Sequence, residues 1–313
     1  MTNLLRNGYL LALFLILFAS TAEVRAQTSL DKLRLAYSAI GGSQSSVWIP
    51  YEAGIFRKNG LDVELLYVGR AVVNSNLAGG DLVIIGSSMN VMTFVLMARP
   101  EIRGVEDLKS KKVGITRFGS ATDFGLRYVE EQRRFKRQRD FALLQLGGMP
   151  ELLSALRAGA VDAALINGEL AILARREGFR ELADLSKMGL IFPTSSIVTT
   201  RSFVKRSENV VRKFIRGFVE GIHYGKTQRA FGIQVLQKYL RNNDPALLED
   251  LYEMYVLRNI PRIPGPSPEA VKTILDQMAE SDPRVVNLRP EQFIDGRFFQ
   301  ELEKEGFLQR LWK

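Results

Sequence analysis

Apolar and polar segments alternate along the chain in a pattern that predicts two successive α/β series. The predicted strands are residues 33–38, 61–68 and 81–86 in the first series and residues 112–116, 141–146 and 161–166 in the second. The predicted helices are residues 46–58, 72–77, 120–132, 151–158 and 169–177. This strand–helix alternation is typical of parallel sheets covered on both faces.

The part of the chain after the second series predicts a mostly helical region. Residues 192–200 are expected to form an extended return segment, and the predicted helices that follow are residues 210–226, 230–240, 246–257, 268–281 and 298–305. Two readings are open at this point. The series could form two independent domains, or two lobes with a double crossover in which the helical tail covers the first lobe. The second arrangement creates a cleft where the loops that follow strands converge, which is a small-molecule site.

The first residues carry the features of an export signal. Arg6 precedes an apolar run at residues 9–19, and Val24-Arg25-Ala26 fits the small-x-small pattern of a cleavage site. A membrane-spanning helix needs about 20 apolar residues, so a cleaved signal peptide of residues 1–26 is favoured over an uncleaved anchor. The chain has no cysteine to carry a lipid after cleavage. We therefore expect a periplasmic protein without a lipid anchor.

Composition and charge narrow the range of functions. The formal net charge is +9, with a hydrophobic fraction of 46% that suits a globular chain with full cores. The one basic cluster, at residues 133–139, is interpreted as a solvated helix end, and no nucleic-acid partner is expected. His223 is the single histidine and there is no cysteine. Since no phosphate loop, nucleophile elbow or metal motif accompanies it, we predict neither a metal site, nor a cofactor, nor catalysis.

Four loops that follow predicted strands carry candidate ligand contacts. In the most suggestive of them, Arg117 and Gly119 lead into Ser120 at the start of a predicted helix, where backbone N–H groups and the helix dipole favour an anion. An alternative is that Ser120 only caps its helix. The other three loops contribute Ser38 with Gly42, Ser43 and Gln44, then Ser87, and then Asn167. Gly, Ser and Asn are also ordinary turn residues, so each loop alone is weak evidence.

Four segments of the sequence resemble a known family. Residues 51–64 (YEAGIFRKNGLDVE), 99–115, 155–164 and 199–205 are similar to the nitrate, sulfonate and taurine type of ABC solute-binding protein, which includes relatives that bind thiamine-pyrimidine precursors. The resemblance covers nearly all of residues 33–309. It implies an α/β, two-lobed, type II periplasmic-binding-protein fold with a ligand cleft between the lobes and a helical C-terminal region on the first lobe.

The resemblance also implies boundaries, contacts and partners. Residues 27–104 and 198–313 would form the first lobe and residues 105–197 the second. Residues carried over as ligand contacts are Ser38, Gly42, Ser43, Gln44, Arg117, Gly119, Ser120 and Asn167. The expected partners are a small ligand and the permease of an ABC importer in the inner membrane, with the protein itself a monomer. An anion is one ligand class and an aromatic ring, stacked on Tyr37, Trp48 or Phe118, is another.

The chain departs from this family at Gly69-Arg70. Relatives carry roughly another helix and strand there, a crossover of about a dozen residues or more. The sequence therefore predicts a first lobe with one strand fewer and a cleft with one loop fewer. Two other functions stay open on the same scaffold, a periplasmic ligand sensor and an exported enzyme.

Overall fold

The computed structural model describes residues 29–37, 41–67, 80–135, 139–279 and 283–313. Three predictions lie outside these residues: the signal peptide, the ligand contact at Ser38, and the helix at residues 72–77 together with the short join at Gly69-Arg70. Within the described ranges, no helix has both the length and the apolar character needed to cross a membrane.

The strands form three sheets within the described residues. In chain order they are β1 (Asp31–Tyr37), β2 (Leu61–Tyr67), β3 (Leu82–Val91), β4 (Phe94–Ala98), β5 (Lys112–Ile115), β6 (Ala142–Gln145), β7 (Ala163–Asn167), β8 (Arg180–Asp184) and β9 (Ile191–Thr200). β1 pairs with β2 in parallel, β3 pairs with β9 antiparallel, and the remaining strands form a sheet in the order β6-β5-β7-β4-β8. Every strand expected from the sequence is present, and β4 and β8 are additional.

The helices agree with the predicted ones to within a few residues, apart from breaks in two of them and two further short helices. They are α1 (Ser45–Glu52), α2 (Ile55–Lys58), α3 (Ala121–Gln132), α4 (Met149–Arg157), α5 (Gly168–Arg176), α6 (Arg201–Arg206), α7 (Glu208–Thr227), α8 (Arg229–Leu240), α9 (Pro245–Leu251), α10 (Pro268–Ala279), α11 (Arg297–Lys304) and α12 (Phe307–Leu311). The helix expected at residues 46–58 is broken because Gly54 adopts a left-handed conformation, with φ of 68°. A π-helix at Tyr252–Asn259 continues α9.

The five-stranded sheet has an apolar core on each face. Along β4, Leu96 and Ala98 contribute to one core while Val95 and Met97 contribute to the other. Successive side chains of a strand point to opposite faces, so a continuous apolar run indicates burial on both sides. Each fully buried Leu, Val or Met side chain of this kind stabilises the fold by about 1.5–3 kcal/mol. This sheet and its helices form the body of the second lobe.

The first lobe differs from the parallel sheet that its sequence predicts. β3 does not pair with β1 among the described residues, but runs antiparallel to β9 from Leu82↔Thr200 to Val91↔Ile191. The residues after Gly86, expected to be a loop, continue the strand. The physical reason is that β9 offers a ten-residue partner with unpaired backbone groups, which a loop would leave unsatisfied.

The helical C-terminal region covers the first lobe, as expected from the sequence. One large apolar core joins Trp48 of α1 and Val83 of β3 to residues of α7, the π-helix and α11. Helix α7 approaches α1 closely, since a Cβ added at Gly221 would lie 2.3 Å from Cβ of Pro50. The two-lobed α/β expectation is therefore confirmed.

The predicted lobe boundaries stay a prediction. Asp31–Lys313 forms one compact unit. β4 lies before the predicted boundary at residue 104 yet pairs with β7 and β8 of the second lobe. β9 spans the predicted boundary at residue 197 and pairs with β3. The chain thus passes between the lobes through long strands.

Candidate functional site

The loop after β1 is the first component of the candidate site. Gly42, Ser43 and Gln44 form one turn of 3-10 helix directly before α1. Gly42 is buried, whereas Ser43 and Gln44 are half-buried and joined by a hydrogen bond of 3.4 Å from Gln44 Nε2 to Ser43 Oγ. The backbone N–H of Gly42 donates to Glu169 Oε1 at 2.7 Å. The first predicted binding loop is therefore bonded to the second lobe.

Helix α5, which begins directly after β7, supplies that carboxylate. Asn167 caps α5, and its Oδ1 accepts the N–H of Leu170 at 3.2 Å. This cap starts the helix so that Glu169, in its first turn, reaches Gly42. Asn167 itself thus has a local partner in the helix. Two of the predicted loops are brought together, and the residue that joins them is Glu169.

Tyr255 completes this cluster from the π-helix. Its hydroxyl donates to Glu169 Oε2 at 2.7 Å, and the side chain of Thr93 lies near the same hydroxyl. Burial, together with the Glu169 carboxylate, raises the pKa of Tyr255 well above its ordinary value, so the phenol stays neutral and donates. π-helical turns are frequent at functional sites.

Gly42 is required here by the close approach of an aromatic ring. A Cβ at this position would lie 2.1 Å from Cδ2 of Tyr255. Gly168 is similar, since a Cβ there would lie 2.4 Å from Sδ of Met254. The two loop glycines therefore let the π-helix pack against both lobes at the cluster.

Two backbone donors of the turn before α3, where an anion was expected, are occupied within the chain. The N–H of Gly119 donates to Asp123 Oδ2 at 2.9 Å, and the N–H of Phe118 donates to Gln145 Oε1 at 2.8 Å. Ser120 caps α3 by accepting from the N–H of Asp123 at 3.4 Å. Its capping role, weighed as the alternative, is thus observed. Arg117 is exposed next to it.

The Ser120 hydroxyl is also held inside the turn. It donates to Arg117 O at 2.7 Å, and hydroxyls of Thr116 and Thr122 lie 2.9 Å and 2.8 Å from it. Asp123 is fully buried and forms an ion pair of 3.4 Å with Arg127. The carboxylate of Asp123 therefore lies at the N-terminus of α3, where an anionic ligand was expected.

Ser87 lies in a different setting from the one that the sequence predicts. It is 1% exposed within β3, and its hydroxyl donates to Asn90 Oδ1 at 2.6 Å and approaches Ser195 O at 3.2 Å. The expected loop is a strand because β9 pairs across it. Ser87 therefore has a structural role between the two crossing strands.

Three buried donors next to Gln44 lack a partner among the described residues. They are Ser45 Oγ, Ser46 Oγ and Trp48 Nε1, all in α1. Leaving a buried donor unpaired is costly, so such groups call for an explanation. Trp48 itself is stacked on Tyr239, with ring centroids 4.5 Å apart, and is not open for a ligand to stack on.

Sequence reasoning predicted Gly42 as a contact but missed the side chains that build the cluster, Glu169, Tyr255 and Thr93. Glu169 lies two residues after Asn167, and its position in a predicted cleft loop was a usable signal. Tyr255 and Thr93 have no such signal, since one lies in the helical region and the other between β3 and β4.

Solved structures with similar folds are numerous, although no curated protein matches the chain in sequence. The aliphatic sulphonate binding protein SsuA from Escherichia coli is 19% identical with a TM-score of 0.66, over 87% of this chain and 100% of that one. The alkanesulfonate-binding protein SsuA from Xanthomonas axonopodis pv. citri, bound to MOPS, is 17% identical with a TM-score of 0.63, over 85% and 98%. The desulfurization enzyme DSZB is 12% identical with a TM-score of 0.66, over 87% and 99%. These likenesses show the periplasmic-binding-protein fold.

The sequence also matches a family profile. The matching family is described as NMT1/THI5 like, and the match covers residues 66–228, which is more than half of the chain. The resemblance found in the sequence is thereby confirmed, and the chain belongs to the NMT1/THI5-like family.

Proposed function

We propose that this chain is a periplasmic solute-binding protein that delivers a small molecule to an ABC importer. The observation that carries the proposal is the meeting of two loops predicted to contact a ligand, one from each lobe, where Glu169 accepts the N–H of Gly42. A cluster built from both lobes is the arrangement that closes on a ligand and opens by a hinge. The similar folds of two sulfonate-binding proteins support the same class.

The location and partners follow from this class. Residues 1–26 direct export and are removed, and the unlipidated protein diffuses in the periplasm as a monomer. The permease in the inner membrane meets the outer faces of the two lobes when the cleft is closed. The ligand is a single small molecule held between the loops that contain Gly42 and Asn167.

An enzymatic role on the same fold is the second candidate, because the desulfurization enzyme DSZB shares it. The residues of this chain favour binding over catalysis. There is no cysteine, and the ring of the single histidine, His223, packs edge-on against Trp312 with centroids 4.9 Å apart. His223 therefore has a packing role on α7, and general base catalysis would need another group.

The test is a binding screen on the exported protein. The full chain is expressed in a Gram-negative host and purified from the periplasmic fraction, and its mass should correspond to a chain that begins at Gln27. Thermal melts and calorimetry then compare sulfonates, nitrate, carboxylates, pyrimidines and cationic amines. A ligand at a hundred times its Kd stabilises the native state by about 2.7 kcal/mol. Saturable 1:1 binding without turnover supports the proposal. Turnover of a bound compound, or no binding by any class, contradicts it.

A further inference from the structure

The candidate cleft already contains an anion, the side chain of Glu169. One carboxylate oxygen accepts the backbone N–H of Gly42 and the other accepts the hydroxyl of Tyr255, both at 2.7 Å. Two accepted bonds, one at each oxygen, match the acceptor-only pattern of an ionised carboxylate. The same oxygen that accepts from Gly42 would lie 3.1 Å from a Cβ at Gly41, so the carboxylate lies against the loop backbone.

A second internal carboxylate has the same relation to the other predicted anion site. Asp123 Oδ2 accepts the N–H of Gly119 at 2.9 Å, and Asp123 is fully buried. One backbone donor in each loop, the N–H of Gly42 and the N–H of Gly119, is therefore satisfied by a negative side chain. An anion placed on the Gly42 N–H would be brought beside the Glu169 carboxylate, a like charge that disfavours binding, whereas Asp123 is paired with Arg127 at 3.4 Å.

We propose that Glu169 is a specificity-determining residue that excludes anions from the cleft and selects a neutral or cationic ligand rich in hydrogen-bond donors. The inference rests on the proposed function, since it names the ligand class for the same site. Such a ligand offers N–H groups to the Glu169 oxygens in place of Gly42 or Tyr255. An amidinium or a guanidinium matches a carboxylate best, because two parallel N–H bonds can form at once.

The geometry also explains how the cleft is held without a ligand. Glu169 lies on a helix of the second lobe. It bonds both to the Gly42 loop of the first lobe and to Tyr255 of the π-helix. A ligand that donates N–H groups can replace the donors to the Glu169 oxygens. An anion can only compete with Glu169 as an acceptor, and it would leave the carboxylate without donors beside a like charge. The Glu169 oxygens can therefore exchange their present donors only for a ligand that donates hydrogen bonds, and this selects against an anion.

The test compares wild type with Glu169→Gln on two charge classes of probe. The cationic probes are agmatine and benzamidine, and the anionic probes are ethanesulfonate, nitrate and acetate. The control is Glu151→Gln, which also removes a first-turn glutamate from a helix of the second lobe, at an exposed position, whereas Glu169 is half-buried. Calorimetry on the full exported protein gives Kd for each probe, and a melt of each variant checks folding.

We expect wild type and Glu151→Gln to bind at least one cationic probe and to bind the anions weakly. Glu169→Gln should lose at least about tenfold in affinity for the cation and gain at least about tenfold for an anion, since the like charge is removed. A purely structural role would lower the melting temperature and leave this preference unchanged. If wild type binds ethanesulfonate as tightly as Glu169→Gln does, the inference is wrong while the proposed function stands. If no probe of either charge and no compound of the wider panel binds, both are wrong.

Discussion

The backbone N–H of Gly42 and the carboxylate of Glu169 meet at 2.7 Å, although 127 residues separate them in the chain. The donor belongs to a turn directly after the first strand, and the acceptor belongs to the first turn of a helix in the second lobe. This bond joins two loops that the sequence indicates separately as ligand contacts. One glycine and one glutamate therefore form a direct bond between the two predicted binding loops.

Replacing Gly42 with Ala should destabilise the fold. The added Cβ would lie 2.1 Å from Cδ2 of Tyr255, a ring that is 2% exposed. Overpacking of this kind costs about 1–3 kcal/mol. Urea denaturation measures the loss, with Ser43→Ala as a control at a half-buried neighbour. Unchanged stability of Gly42→Ala would mean that the π-helix moves away freely.

Replacing Tyr255 with Phe should remove the bond to Glu169 and leave a carboxylate oxygen with one partner fewer. We expect a loss of about 1–3 kcal/mol in the free energy of unfolding. The loss should be non-additive with Glu169→Gln in a double-mutant cycle. Tyr252→Phe is the matched control, because that hydroxyl donates instead to Gly225 O at 2.7 Å. Additive effects of Tyr255→Phe and Glu169→Gln would contradict a shared cluster.

The stability that Lys226 contributes should rise with pH on the alkaline side. Its ammonium group donates to Val256 O at 2.6 Å and Leu257 O at 2.8 Å, while burial and then the nearby Arg262 lower its pKa to about 8. The unfolded chain binds this proton up to about pH 10.4, so between the two values it holds more protons than the folded chain and stability increases with pH. Lys226→Met removes the effect.

Denaturation at several pH values checks this prediction. The free energy of unfolding of wild type minus that of Lys226→Met should grow between about pH 8 and about pH 10. A difference that stays constant over this range, or that falls, would contradict the lowered pKa.

Replacing Gly221 with Ala should destabilise the first lobe, in spite of the better helix propensity of Ala. The propensity gain is about 1 kcal/mol, but the new Cβ would lie 2.3 Å from Cβ of Pro50 on α1. We expect a net loss of about 1–3 kcal/mol in chemical denaturation. A gain in stability would show that α1 and α7 can separate without cost.

Replacing Arg117 with Ala should distinguish an anionic ligand from a neutral or cationic one. Arg117 is exposed, and the backbone donors beside it already have internal acceptors. We expect affinity and melting temperature to change little, within about 0.5 kcal/mol. A large loss of affinity with an unchanged melting temperature would support the anionic ligand instead, and calorimetry with the screened ligand decides between them.

The amino-acid sequence by itself determined the elements and their order. The apolar run of β7 and the cap at Ser120 are local signals, because strand burial and helix capping depend on residues within a few positions of each other. The family resemblance added the two-lobed fold and pointed to the loops of Gly42 and Asn167. A break at Gly54 within the first predicted helix also has a local cause, although the apolar pattern around it concealed the break.

Only the tertiary structure decided which elements pair and what the binding loops contact. The Gly86–Asn90 stretch has turn-forming residues, yet it is a strand because β9 offers backbone partners more than a hundred residues later. Glu169 and Tyr255 become neighbours only when both lobes and the π-helix are packed. Hydrogen bonds across such distances leave no periodic trace in the sequence, since they depend on the position of whole elements. The contact of the Glu169 carboxylate with the Gly42 loop was therefore visible only in the folded protein.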